Sequence, residues 1–172
     1  MAGIWTLTAL LLLTQYDATT TEKPAFQHVR STDVGLLGML REAYRRSETV
    51  KGLIDRIEHS DVIVYIEPGH CAFGHVDACV LPFLKRTGGS RYLRIAVNTS
   101  LPRNRLIAIL AHELQHAREI SESPGVVDAT TMRGLYRRIG VQSCGEANAD
   151  CYETAEAQAA ARAASEELMR KR

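Results

Sequence analysis

The sequence predicts an α+β domain in which a short mixed sheet packs on helices. The chain has 172 residues, 45% hydrophobic and 24% charged, so one globular domain with its own core fits and two ordinary domains do not. Residues 61–67 and 91–98 carry the β-branched and alternating patterns of strands. Several other segments repeat apolar residues at helical spacing, which predicts amphipathic helices packed on that sheet.

The N-terminal segment predicts export. No charged side chain precedes Asp17, and residues 4–13 form an apolar block of about ten residues, which suits the hydrophobic region of a signal peptide. We therefore predict a signal peptide over residues 1–18, a flexible leader over residues 19–31, and a periplasmic or extracellular protein. A buried strand or helix is the alternative for the apolar block. A single domain is expected over residues 32–172.

Helices are expected both before and after the predicted strands in the sequence. Thr32 can cap a helix over residues 33–46, and Ser47 can cap a second helix that ends near residue 59. Pro102 suits the start of a third helix. The helices predicted after the strands cover residues 102–120, 126–139 and 152–169.

Three strands are predicted between the second and third helices. Residues 61–67 are β-branched and aromatic and stop at Pro68, which predicts a strand buried on both faces. Residues 79–85 and 91–98 flank the sequence Thr-Gly-Gly-Ser, which favours a hairpin turn. The second of these segments alternates apolar and polar side chains, as a strand with one buried face does.

The charge balance excludes some classes of partner. Twenty-one Lys and Arg residues stand against 20 Asp and Glu residues, for a net charge of +1, so no nucleic-acid partner is expected.

No apolar run reaches the roughly 18 to 20 residues that span a bilayer, so no integral membrane span is expected in the mature chain. We expect the protein to be monomeric.

The most informative segment reads AHELQHA, over residues 111–117. His112 and His116 are four residues apart, so one face of the predicted helix presents both imidazoles about one turn apart. That spacing allows both rings to bind one Zn²⁺ at about 2.0–2.1 Å. Glu113 lies beside the first ligand, from where it can take a proton from a water at the metal. The alternative is a surface helix in which these three side chains are only solvated.

This motif, in a helix that follows a hairpin, resembles that of the HExxH zinc metallopeptidases, the zincins. The resemblance implies one zinc ion per chain, a peptide or protein substrate, and Glu113 as general base. It also implies that a strand ahead of the helix pairs with the extended substrate, and residues 91–98 are the candidate. The residues after His116 lack the glycine and third histidine of the metzincins. This favours the gluzincin-like branch, in which a glutamate on a later helix is the third ligand.

Two downstream glutamates can complete the predicted site. Glu146 begins the segment EANAD, which is similar to the gluzincin pattern, and that similarity assigns Asp150 to hydrogen-bond a ligating histidine. Glu153 precedes a run of small residues that would allow close packing on the active-site helix. Helical periodicity does not separate the two glutamates, which are seven residues apart. The segments RYLRI, HELQHA and CYET are similar to uncharacterised exported bacterial proteins, and this similarity favours His112, His116 and Glu153 as the metal ligands.

Four cysteines allow two disulfides in an exported chain. Cys71 and Cys79 would close a small loop. In a continuous helix the Cα atoms of Cys144 and Cys151 would lie roughly 10 Å apart, beyond the disulfide limit of about 7 Å. Their pairing therefore requires a loop over residues 145–150. Reduced, buried thiols are the alternative for Cys71 and Cys79.

Several further residues have competing interpretations. Four clustered side chains are candidates for a second zinc site, although their spacing fits no common zinc finger: His70, Cys71, His75 and Cys79. His75 or Tyr136 can donate a hydrogen bond to an oxyanion in the transition state, and a core position is the alternative for Tyr136. Arg118 and Glu119 are interpreted as a solvated helix face.

We therefore expect a zinc-dependent metallopeptidase that hydrolyses peptide bonds through a metal-activated water. Two alternatives stay open at this point. One is a non-catalytic zinc-binding or interaction protein on a zincin scaffold. The other is a zinc amidase that acts on the cell wall and shares the site but not the substrate.

Overall fold

A computed structural model describes residues 25–71, 76–143 and 152–170. The predicted signal peptide and part of the predicted leader lie outside these residues. The described helices are α1 (Val34–Arg46), α2 (Glu48–Glu58), α3 (Arg103–Ser121), α4 (Ala129–Ile139) and α5 (Ala155–Arg170). The described strands are β1 (Val29–Arg30), β2 (Val62–Pro68), β3 (Ala78–Val80), β4 (Lys85–Thr87), β5 (Ser90–Val97), β6 (Val141–Gln142) and β7 (Tyr152–Glu153). None of the helices in these ranges is both long and apolar enough to cross a membrane.

Five of these strands form one short mixed sheet, which confirms the predicted α+β class. The spatial order is β1-β2-β5-β3, and β4 also pairs with β5. Strands β1, β2 and β5 run parallel, whereas β3 and β4 run antiparallel to β5. The predicted strand over residues 79–85 is thus two strands, separated by residues 81–84. The hairpin between β4 and β5 turns at Gly88 and Gly89, whose φ angles of 58° and 84° favour glycine.

The core lies between the sheet and the helices. On β5, Leu93, Ile95 and Val97 are fully buried, as the predicted alternation requires, while Arg94 on the opposite face is exposed. Strand β2 buries one face completely, but Tyr65 on its other face is only half-buried, so the prediction of burial on both faces is only partly right. Side chains of α2, α3 and α5 complete the same cluster: Leu53, Ile54, Ile57, Ile107, Leu110, Leu114, Ala164 and Leu168.

Side-chain caps decide where the first two helices begin. The carboxylate of Asp33 accepts a hydrogen bond from the N–H of Leu36 at 2.7 Å, so Asp33 and not the predicted Thr32 caps α1. Ser47 caps α2 as predicted, accepting a hydrogen bond from the N–H of Val50 at 3.1 Å.

The last two helices begin almost one turn later than predicted. A capping box between Asp128 and Thr131 starts α4. The hydroxyl of Thr154 accepts a hydrogen bond from the N–H of Ala157 at 3.1 Å and so starts α5. The small residues of α5 pack closely along α3, and Ala157 and Ala164 are fully buried.

The C-terminal end of α3 is held by a buried arginine on β5. Only 1% of the Arg91 side chain is exposed. It donates two hydrogen bonds to Asp61, at 2.6 and 2.8 Å. Its remaining donors bind main-chain carbonyls at the end of α3 and just beyond it: those of Ile120, Ser121, Ser123 and Val126. The carbonyls of Ile120 and Ser123 also accept main-chain N–H groups, so Arg91 adds a second donor there. The cation also interacts favourably with the helix dipole.

Candidate functional site

The middle of α3 carries both histidines on the face that approaches β7. The side chains of His112 and His116 are 18% and 7% exposed. The Nε2 atom of His112 lies 2.9 Å from Oε2 of Glu153. One ligand atom from each of His112, His116 and Glu153 lies within 4.8 Å of the other two. The structure therefore brings together the three side chains that the sequence analysis assigns to a metal.

Glu153 reaches this position from a strand and not from a helix. The sequence analysis expects it at the start of the last helix, and that expectation is wrong, because Thr154 caps α5 and leaves Glu153 in β7. Strand β7 pairs with β6, where Val141 lies opposite Glu153. Gly140 allows this approach, since a Cβ there would lie 2.9 Å from the Tyr136 carbonyl oxygen and 3.0 Å from that of Glu153. A side chain at this position would force α4 and β7 apart.

One buried carboxylate oxygen of the site, Oε2 of Glu113, has no hydrogen-bond partner in the part of the chain that the structure describes. Oε2 of Glu153 has Nε2 of His112 as its polar contact, at 2.9 Å. Because an unpaired buried polar atom is costly, Oε2 of Glu113 favours a bound group that interacts with it. Two imidazoles and one carboxylate are a donor set of catalytic zinc sites, in which the fourth position is open to water. The residues present therefore fit a zinc ion, with Glu113 beside it.

Glu113 is the most deeply buried acid of this cluster, with 4% of its surface exposed. Burial raises its pKa, whereas the two histidines and the backbone N–H of Val80 lower it, and the net effect is a raised pKa. A carboxylate with a raised pKa accepts a proton more readily near neutral pH. The environment therefore suits Glu113 to act as a general base.

The contact between His112 and Glu153 shifts both groups toward their charged forms. Burial lowers the pKa of His112, but the Glu153 carboxylate and the neighbouring acids raise it by more. Burial raises the pKa of Glu153, but the two histidines lower it by more. Protons and a metal ion would therefore compete for the same pair of ligands.

One residue of this cluster, Glu119, is not among the site residues predicted from the sequence. Glu119 is predicted to be solvated, but only 9% of its side chain is exposed. It accepts a hydrogen bond from the Thr154 hydroxyl at 2.7 Å and from the Gln115 amide at 3.2 Å, and it contacts Nδ1 of His116 at 3.0 Å. Burial raises the pKa of Glu119, but these contacts lower it by more. Its spacing of three residues from His116 was the available signal, because i and i+3 share a helix face.

A cleft of about 300 Å³ opens beside the histidines, lined by residues of β3, α4 and β7. Its walls are mostly apolar, and they include Val76, Ala78, Val80, Pro82 and Met132. Glu113, His116 and Glu153 reach the same cleft. A ligand that enters it would therefore meet the proposed metal ligands and the buried acid together.

The strand that borders this cleft is β3, and no other described strand pairs with its outer edge. The N–H of Leu81 donates to the Arg94 carbonyl, which sets the register with β5. The backbone groups of Ala78 and Val80 therefore point away from β5. The prediction that residues 91–98 pair with a substrate chooses the wrong strand, because β2 occupies one edge of β5 and β3 and β4 the other.

Tyr136 has a core position. Its hydroxyl donates to the main-chain carbonyl of His116 at 3.1 Å, and its ring packs edge-on against the imidazole with 5.3 Å between the ring centroids. Burial holds the pKa of Tyr136 well above its usual value. The alternative interpretation therefore describes Tyr136 better than the role of oxyanion donor.

Cys71 and Cys79 form the predicted disulfide, with their Cα atoms 6.0 Å apart. The two sulfurs are therefore not available as thiolate ligands, which argues against the second zinc site. Cys79 belongs to β3 and borders the cleft, so the disulfide ties the edge strand to the segment that follows β2. The other candidates lie outside the described residues: His75, Glu146, Asp150, Cys144 and Cys151.

Comparison with known proteins gives no relative. No protein-family model matches the chain, and neither a curated protein nor a solved structure matches it significantly.

Proposed function

We propose that this protein is a zinc-dependent peptidase that binds one zinc ion with His112, His116 and Glu153. The observation that carries the proposal is that ligand atoms of these side chains lie within 4.8 Å of one another, next to the buried Glu113. The resemblance of the AHELQHA segment to the zincin motif supports the same assignment. So does the donor set, which is that of catalytic zinc sites with one open position.

The chemistry divides between the metal and the chain. Bound zinc would supply a Lewis acid and would lower the pKa of water in the site to about 7. Glu113 would accept a proton as the water oxygen bonds to the scissile carbonyl carbon. It would return that proton to the amide nitrogen as the C–N bond breaks, which leaves a carboxylic acid and an amine, and the acid then loses its remaining proton to solvent. The unpaired Oε2 and the raised pKa of Glu113 suit it to this exchange.

The edge of β3 favours an extended peptide as the substrate. The N–H and C=O groups of Ala78 can pair with a peptide backbone in the way that one more strand would. The same edge borders the cleft that Glu113 and His116 reach. A peptide paired there would run past the proposed zinc ligands.

We also propose that the protein functions outside the cytosol. The disulfide between Cys71 and Cys79 supports this, because disulfides persist in oxidising compartments. The apolar block over residues 4–13 supports it as well.

Replacing Glu113 by glutamine tests the proposed function. The variant should keep its zinc and its fold and lose hydrolysis by about 10²–10⁴-fold, because an amide does not accept the proton of the water at neutral pH. Glu156→Gln is the matched control, since Glu156 is an exposed glutamate of α5 and its replacement should leave the rate unchanged. The measurements are cleavage of a quenched peptide library and of cell-wall fragments, with the zinc content of each variant determined in parallel.

The outcomes separate the candidate functions. Cleavage of peptides by the wild type and not by Glu113→Gln supports the peptidase. Cleavage of cell-wall fragments alone would replace it with an amidase. Zinc binding without any cleavage would replace it with a non-catalytic zinc protein. Equal rates in the wild type and in Glu113→Gln would contradict the role of Glu113.

A further inference from the structure

Glu119 is buried in a charged contact that the proposed hydrolysis does not use. It lies on α3 three residues after His116, and its side chain is 9% exposed. Its Oε1 accepts hydrogen bonds from Thr154 and Gln115, and its Oε2 lies 3.0 Å from Nδ1 of His116. Both carboxylate oxygens are therefore engaged, in contrast to Glu113, whose Oε2 has no partner among the described residues.

The contact with Nδ1 determines which nitrogen of His116 can bind a metal. An ionised carboxylate only accepts hydrogen bonds, so Nδ1 must carry the proton in this contact. Neutral His116 then presents its lone pair on Nε2. The ring is also held by Tyr136, whose ring lies perpendicular to it. Tautomer and orientation are thus both set before a metal arrives.

Thr154 connects this carboxylate to the segment that carries the third proposed ligand. It is 1% exposed and directly follows Glu153. Its hydroxyl donates to Glu119 at 2.7 Å, while the same oxygen accepts a hydrogen bond from the N–H of Ala157 and starts α5. One residue therefore fixes the end of β7 to α3 and to the first turn of α5.

We propose that Glu119 is a positioning residue, which orients His116 for metal binding and, through Thr154, holds the Glu153 segment at the distance the site needs. The inference rests on the metal-binding part of the proposed function. In the zincin resemblance, the task of hydrogen-bonding a ligating histidine falls to Asp150. The proposal gives this task to Glu119, which lies on the same helix as His116. Neither Glu119 nor Thr154 touches the substrate in this scheme.

The affinity for zinc measures this role directly. We expect Glu119→Ala to weaken zinc binding by about 10–100-fold, as the loss of a hydrogen-bond partner of a metal-binding histidine typically does. Glu119→Gln, which keeps the volume and one acceptor, should weaken it less. The dissociation constants are measured by competition with a chromophoric zinc chelator, and the circular dichroism and melting temperature of each apoprotein are recorded. Glu122→Ala is the control, because Glu122 caps the same helix and its ion pairs are solvent-exposed.

A double-mutant cycle distinguishes positioning from a general loss of stability. Thr154→Val removes the hydroxyl and should weaken zinc binding, whereas Thr154→Ser keeps the hydroxyl and should restore the affinity. If Thr154 acts through Glu119, the variant with both Glu119→Ala and Thr154→Val should bind zinc no more weakly than Glu119→Ala alone. Independent destabilisation would instead make the two effects multiply.

The failure of this inference can be told from the failure of the proposed function. Wild-type affinity for zinc in both Glu119→Ala and Glu119→Gln would overturn the positioning role and leave the zinc site intact. Multiplying effects in the cycle would overturn the link through Thr154. A wild-type protein that binds no zinc would overturn the metal site itself, and the positioning role with it.

Discussion

Two buried polar clusters lie on α3, and they differ in how completely their atoms are paired. At the end of the helix, Arg91 directs its donors to Asp61 and to four main-chain carbonyls. In the middle of the helix, Glu113 keeps one buried oxygen, Oε2, without a partner among the described residues. The first cluster is fully paired within the described residues, whereas the second leaves a buried carboxylate oxygen that no described residue pairs.

The difference separates a structural role from a ligand-binding role. A buried charge with all its hydrogen bonds made holds elements together, and it is costly to remove one partner. A buried carboxylate oxygen without a donor is itself costly, and the cost is recovered when a cation binds. We therefore expect changes at Arg91 to affect stability alone. Changes at His112, His116 or Glu153 should affect metal binding and have a smaller effect on the stability of the apoprotein.

The largest expected effect is the loss of metal from the incomplete cluster. Purified wild-type protein should carry about one zinc per chain, and His112→Ala or His116→Ala should carry almost none, since each removes one of three ligands. Zinc at 100 times its dissociation constant should add about 2.7 kcal/mol to the stability of the wild type. Elemental analysis and thermal melts with and without zinc measure both effects. Unchanged zinc content in both variants would contradict the site.

Replacing Arg91 should destabilise the fold without changing the affinity for zinc. Arg91→Met should destabilise the fold by about 3 kcal/mol, because it removes the side-chain donor of several main-chain carbonyls, and a buried acceptor left unpaired costs about 1–3 kcal/mol. Arg94→Met is the matched control on the same strand, where the ion pair with Glu67 is exposed, and it should cost about 1 kcal/mol or less. Urea unfolding measures both variants. Equal costs for the two would show that the pairing of Arg91 is not what matters.

The disulfide beside the cleft should have an intermediate effect. Replacing Cys71 and Cys79 by serine removes a bridge over a sequence separation of 8, which should cost about 2–3 kcal/mol by the loop-entropy relation. Thiol titration of the denatured, unreduced protein should find no free thiol if Cys144 and Cys151 also pair. Two free thiols would contradict that second pairing, and four would contradict both.

The smallest expected effect is the pH dependence of the stability that the contact between Asp61 and Arg91 contributes. Hydrogen bonds from Arg91 hold the pKa of Asp61 below its usual value of 3.8. A lowered pKa in the folded state stabilises the fold above the unfolded value, and this contribution disappears as the pH falls through the folded value. Because Asp61 is 43% exposed, the free energies of unfolding of the wild type and Asp61→Asn should differ by about 1 kcal/mol or less at pH 5–7. This difference should shrink below pH 4. Urea unfolding across this range measures it. A constant difference down to pH 2.5 would show that the charge of Asp61 contributes nothing.

Features that depend on neighbouring residues could be predicted from the sequence. The helices, the turn at Gly88 and Gly89, and the placement of His112, Glu113 and His116 on one helix all follow from local spacing and local backbone preference. The disulfide between Cys71 and Cys79 was predictable for the same reason, since it closes a short loop. Errors at the local level were small, such as Asp33 in place of Thr32 as the cap of α1.

How distant segments meet depends on packing and could not be predicted from local spacing. Spacing does not separate Glu146 from Glu153, and the position of Glu153 beside His112 depends on β7, Gly140 and the docking of α5. Glu119 is buried because another segment covers its face of α3, where Thr154 donates a hydrogen bond to it. The free edge of β3 follows from the order of strands in the sheet. These features are contacts between residues far apart in sequence, so they are determined by packing and not by any local pattern.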